Sequence, residues 1–222
     1  VTFRLGIATW GERAPHPDTG ELPSPREGFL QLTELARTAD RVGLDIVAVG
    51  EGHGAEHVNP DPLQLRAAGH GIGVMLNVME GRWDQLVPYV KAYREALRGF
   101  RHSTRGAVGL LLPGLVVSDD DAARSPDALT LAYPHFAAST RTFGAASADE
   151  PAWTPEEFRE QYGPEGALLV GGVSDVVTKL RAMRETLELD RVLVRVDVNG
   201  LPHDAALRTV ELLGREVLPA LR

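Results

Sequence analysis

The chain has 222 residues, 43% of them hydrophobic and 24% charged, which suits one α/β domain with a buried core and argues against wholesale disorder. A net charge of −8 disfavours nucleic acid or an anionic membrane as the main partner, and the lack of cysteine removes disulfides, thiolate catalysis and cysteine metal sites. No window reaches the roughly 18 apolar residues of a membrane span, and Val1 to Gly6 has no apolar leader character, so the expectation is a soluble, cytoplasmic protein.

Phe3 to Thr9 reads as a first strand that empties into Trp10-Gly11-Glu12-Arg13 and a Pro/Gly-rich loop. Ser24-Pro25 marks a helix start, and Glu27, three residues after Ser24, completes a capping box. Phe29, Leu32, Leu35, Ala36, Ala39 and Val42 recur at helical spacing before Gly43 ends the helix. Leu44 to Val49, β-branched at three positions and bounded by glycine, predicts a buried strand running into Gly50-Glu51-Gly52-His53.

The strand and helix unit then repeats. Leu63 to Ala68 is a short helical piece and Ile72 to Val78 a strand. Arg82 to Arg98 forms a helix that Pro88 should kink or restart. Ala107 to Leu112 and Ala167 to Val170 are further strands, and Ser174 to about Leu187 is a helix burying Val177, Leu180 and Met183. Val192 to Val198 is a last strand, with Arg195 and Asp197 making one side partly polar, and the closing helix carries Leu207, Val210, Leu213 and Val217 until Pro219 ends it. Six strands alternating with helices predict a parallel sheet or barrel with right-handed crossovers. The residues at about 114–165 break this rhythm: they hold Asp119-Asp120-Asp121 and a weak helix, Pro155 to Tyr162, and no strand is predicted there. With no linker in view, residues 1–222 read as one domain carrying that irregular insert.

Polar residues at the C-terminal ends of parallel strands are where α/β folds keep their chemistry. Glu51 and His53 stand at such an end, where a carboxylate can fix the tautomer of an imidazole that serves as acid, base or hydrogen-bond donor; bracing of the fold is the bland alternative. His53 and His57 are four apart, but Gly54 between them and Asn59-Pro60 beyond work against a shared helix face, so no metal is expected. Gly171-Gly172-Val173-Ser174 is a strand-to-helix turn whose free N–H groups could receive a phosphate, or it is an ordinary glycine turn with Ser174 as N-cap. Arg13 and Arg82 follow strands and could meet an anion, although surface solvation is the commoner use. Asp119 to Asp121 fit a helix N-terminus better than a cation site.

Four passages in order resemble one family. Ala39 to His53 is similar to the helix, strand and acidic-histidine passage of the luciferase-like flavin monooxygenases. Val74-Met75-Leu76 with Trp83 and Lys91 to Ala96, Val170 to Leu180, and Leu207 to Leu221 resemble three later segments of that family. The resemblance covers about two-thirds of the chain. It implies a shortened TIM-type (β/α) barrel of about six parallel strands, because the family's middle units have no counterpart after His57-Val58-Asn59-Pro60 and ~250 residues is usual for a full barrel. It further implies FMN, or alternatively coenzyme F420, as cofactor, with His53 and Glu51 at the catalytic end and Gly171, Gly172, Ser174 and Trp10 on the cofactor. Trp10 and Trp83 could stack on the flavin ring, with core packing as the alternative. The implied activity is flavin-dependent oxidation of a small organic substrate. Gly52 stands where the family has the first of two histidines, and shortened non-fluorescent flavoproteins bind flavin without turnover, so a non-catalytic flavin-binding or structural homologue is the alternative. A barrel missing units exposes strand edges and apolar faces, for which a homodimer is the expected remedy.

Overall fold

The structure, a computed structural model, describes residues 3–9, 25–49, 72–78, 81–102, 105–124, 132–137, 153–198 and 200–222. The elements in order are β1 (Arg4–Thr9), α1 (Pro25–Arg41), β2 (Ile46–Val49), β3 (Val74–Asn77), a 3-10 turn (Trp83–Leu86), α2 (Val87–Gly99), β4 (Val108–Val117) and α3 (Asp119–Arg124). They continue as α4 (Pro155–Tyr162), β5 (Leu169–Gly172), α5 (Val173–Leu187), β6 (Arg191–Arg195), α6 (His203–Leu212), a π-helical turn (Leu213–Val217) and α7 (Leu218–Leu221). Ser24, Glu27's capping side chain and the Leu63 to Ala68 piece lie outside the residues whose placement is described.

All the strands pair in parallel, in the order β2-β1-β6-β4-β3, with β5 also on β4. Among the described residues the sheet is open, with β2 and β3 ending the order. The strand and helix rhythm predicts this parallel sheet of six strands, and the arrangement is consistent with the shortened α/β barrel that the family resemblance implies. The last strand lies against the first, Leu5 opposite Val192 and Ile7 opposite Val194, as at the seam where a barrel of this kind closes.

Leu5, Ile7, Leu110, Leu112, Val192 and Val194 lie in one buried cluster with Leu180, Met183 and Leu187 of α5 and Val210, Leu213 and Val217 of the closing segment. In α1 the predicted stripe places Leu35 and Ala39 in this core, and Gly43, at φ 76°, turns the chain out of the helix in a conformation costly for other residues. Gly214 is a close approach: a Cβ there would lie 2.1 Å from Cγ2 of Val42. A second cluster gathers Leu115, Phe136, Phe158, Leu168, Val170 and Val198, so the insert builds a small core of its own against the far half of β4.

Several boundaries differ from expectation for identifiable reasons. β2 begins at Ile46 instead of Leu44 because an Asp45 carboxylate oxygen accepts the Leu5 N–H at 3.0 Å, a side chain standing where a ladder bond would be. β4 does not stop at Leu112: it runs to Val117, so residues 114–117, predicted to hold no strand, extend it. Pro113 is tolerated because it is the last position in register with β6, opposite Arg195, and Gly114 opens the separate ladder with β5. Pro88 restarts the helix as predicted, sitting in the first turn of α2 where its missing N–H is harmless. Pro219 does not end the closing helix; the π-helical turn shifts the bonding, the Leu218 N–H reaches the Leu213 carbonyl, and Pro219 falls in the first turn of α7.

Candidate functional site

Because the strands are parallel, their C-terminal ends share one rim, formed by Thr9, Val49, Asn77, Val117, Gly172 and Arg195. Of the residues predicted for a site, Trp10, Glu51 and His53 lie outside the described residues, as do Arg13 and His57. Val49, the last residue of β2, ends that strand at this rim.

Gly171 and Gly172 close β5, and Ser174 is the second residue of α5. The helix starts one residue earlier than predicted, and Gly172, in extended conformation at φ −68° and ψ 162°, takes the N-cap position proposed for Ser174. Asp119, the first residue after β4 and Ser118, reaches this turn. Its carboxylate accepts the Ser174 backbone N–H at 2.9 Å and the Ser174 hydroxyl at 2.6 Å. The Ser174 hydroxyl and backbone N–H hold the Asp119 carboxyl below its ordinary range. Gly172 is part of the fit, since a Cβ there would lie 2.6 Å from the same carboxylate. The predicted helix-start role of the acidic run is seen in α3, where the Ser118 hydroxyl accepts the Asp121 N–H at 3.1 Å and donates to its carboxylate at 2.7 Å. Asp119 does more than predicted, tying the end of β4 to the start of α5.

On the neighbouring part of the rim lies a polar cluster that sequence reasoning did not select. The Thr9 hydroxyl donates to one oxygen of Asp197, and Nε of Arg195 donates to the other at 3.4 Å. Arg195 is 0% exposed, flanked in register by Ala8 of β1 and Pro113 of β4. A buried guanidinium is costly unless it is paired, so this arginine is an unusual choice in a strand whose other buried residues are valine and leucine. The signal was present in the alternation of Leu193, Arg195 and Asp197 on one side of the last strand. Chemically, the buried Thr9 hydroxyl and Arg195 guanidinium hold the partly exposed Asp197 carboxylate in place beyond the ends of β1 and β6, where it could accept a hydrogen bond from a polar ligand.

The other candidates are structural. Arg82 bonds Asp84 at 2.8 Å and Glu165 on the surface, and these two carboxylates raise its pKa. Trp83 is buried, its ring N–H donating to the Pro164 carbonyl at 2.8 Å. Arg94, Arg105, Glu188 and Asp190 form a network where β4 and β6 begin, the end of such folds that serves stability. Among the described residues no group of three or more His, Asp or Glu side chains could hold a metal, and no helix is long and apolar enough to cross a membrane.

Known structures share this architecture. Monooxygenase RslO1 from Streptomyces bottropensis is 17% identical at a TM-score of 0.52, over 99% of this chain and 69% of that one. Flavoprotein 390 is 10% identical at a TM-score of 0.61, over 98% of this chain and 96% of that one. At these identities the likeness establishes the fold, and it is at the level of fold that the resemblance to the luciferase-like flavin monooxygenases holds. No family model matches the chain, and no curated protein matches it.

Proposed function

We propose that this chain binds a flavin, FMN or alternatively the deazaflavin F420, at the C-terminal ends of its strands and acts as an oxidoreductase of the monooxygenase kind on a small organic substrate. The observation that carries the flavin part of the reading is the nearly complete two-way overlap in fold with flavoprotein 390, and the likeness to monooxygenase RslO1 supports the oxygenase part. When bound, a reduced flavin supplies the electrons for oxygen-dependent oxidation. In this reading His53 donates a hydrogen bond to the ring or moves a proton, Glu51 fixes its tautomer, and Trp10 lies against the ring face. Arg195 and Asp197 orient polar groups on the neighbouring rim. The turn Gly171-Gly172-Ser174 borders the site, with Asp119 on its donors. One domain across residues 1–222, a homodimer and a cytoplasmic location complete the proposal.

A second reading, flavin binding without turnover, is supported by Gly52 in place of a histidine. Titration of the purified chain with FMN, and separately with F420, followed by cofactor absorbance and fluorescence, tests both. A saturable change with one of the two is expected; a flat response to both sinks each flavin reading. Reductant-dependent oxygen consumption over a substrate panel then separates them, its absence in a flavin-binding protein selecting the second.

A further inference from the structure

Asp119 and Ser174 are 55 residues apart, yet the carboxylate engages both donors of Ser174, backbone N–H at 2.9 Å and hydroxyl at 2.6 Å. These are groups that a phosphate would use at the start of a helix, where the unpaired N–H groups and the helix dipole favour an anion. Gly172 leaves room for this carboxylate and for little else, its missing Cβ lying 2.6 Å from Oδ1 of Asp119 and 3.3 Å from Cβ of Ala122. Serine and carboxylate also suit each other: the ionised form accepts both bonds, and Ser174 holds the Asp119 carboxyl below the ordinary range, so it is charged at neutral pH. A second anion at the same turn would meet that charge at contact distance with both donors of Ser174 already taken.

We propose that Asp119 is the resident anion of the α5 N-terminus and excludes a cofactor phosphate from the Gly171-Gly172-Ser174 turn. The turn is then a clasp joining the ends of β4 and β5, and it contributes nothing to telling a phosphorylated flavin from riboflavin. Only this last consequence rests on the flavin reading.

The test is a titration of the isotopically labelled full chain with inorganic phosphate, followed through the backbone amide resonances of Val173, Ser174 and Asp175. In the wild type these are expected to show no saturable shift, and in Asp119→Ala a saturable shift should appear, with affinity at least about tenfold above any wild-type response. Asp119→Asn, which keeps the shape and removes the charge, gives the same comparison if the alanine variant does not fold. Saturable wild-type shifts at Ser174 would overturn the proposal, as would a variant that folds and still ignores phosphate. With flavins, Ser174→Ala should change FMN and riboflavin affinity by the same factor within about twofold, whereas a tenfold selective loss for FMN would place phosphate on the turn and overturn the proposal. If no flavin binds, the flavin reading fails and the phosphate titration still decides the role of Asp119.

Discussion

Phe158→Ala is expected to lower the free energy of unfolding by about 3–5 kcal/mol, the usual cost of deleting a fully buried aromatic ring. Phe158 is 2% exposed and is the hub of an aromatic group. Its ring centroid lies 5.2 Å from that of Tyr162, 5.7 Å from Tyr133, 5.8 Å from Phe136 and 6.5 Å from Trp153. Those partners belong to the insert, while Leu115, Leu168 and Val170 bring the far half of β4 and the approach to β5 into the same cluster. The local start of α4 is independently secured, because the Thr154 hydroxyl accepts the Glu157 N–H at 3.2 Å and the Glu157 carboxylate accepts the Thr154 N–H at 2.6 Å. Losing the ring therefore leaves a cavity between insert and sheet and should not melt α4 by itself. Urea unfolding measures the effect, and Phe158→Leu should cost less than half as much. A loss below about 1 kcal/mol for the alanine variant would mean that the insert does not support the strands it covers.

Lys179 gives the second large effect, and it depends on pH. Its ammonium is buried on α5 and donates to the carbonyls of Gly163 and Leu168 at 2.7 Å each and to that of Tyr162 at 3.4 Å. Two of these acceptors lie at the C-terminal end of α4, where a cation is favoured. Among the described residues no carboxylate is paired with it, and burial pulls its pKa from 10.5 down to about 7. From about pH 7 to 10.5 the unfolded chain carries a proton on this lysine that the folded chain has lost. Stability should accordingly rise with pH across that window, by as much as about 1.4 kcal/mol per pH unit, and the cost of burying the charge should be fully present below it. Lys179→Met leaves three carbonyls short of a donor at every pH, so it shifts the curve without this slope. Other groups titrate in the same range, and the difference between wild type and variant isolates Lys179. Chemical denaturation of both proteins at pH 6.5, 8 and 9.5 would show the gap changing with pH, and parallel curves would contradict the assignment.

Local chemistry was legible in the sequence where a residue acts on its own neighbours. Gly43 ended a helix, Pro88 restarted one, and the valine-rich runs became parallel strands because each of those effects is set within a few residues. The continuation of β4 past Leu112 is not legible locally, because Pro113 is tolerated through two different partners for one strand, β6 up to Arg195 and β5 from Gly114 onward. The start of β2 moved for a similar reason, since Asp45 answers an N–H on β1. At the rim, the importance of the Gly172 and Ser174 turn could be read from its glycines, but the carboxylate filling it comes from 55 residues away. In the sequence Arg195 is only a polar interruption; its complete burial is a property of the packed sheet, with β1 on one side and β4 on the other.

The central claim is that a flavin lies across the C-terminal strand ends of this shortened barrel. A crystal structure of the chain grown with FMN tests it most directly. A flavin ring is expected at the rim formed by β1, β2 and β6, within reach of His53 and Asp197, with its phosphate away from Ser174. A ring bound at the opposite end of the strands, beside Arg105 and Asp190, or crystals that take up no FMN at saturating concentration, would contradict it.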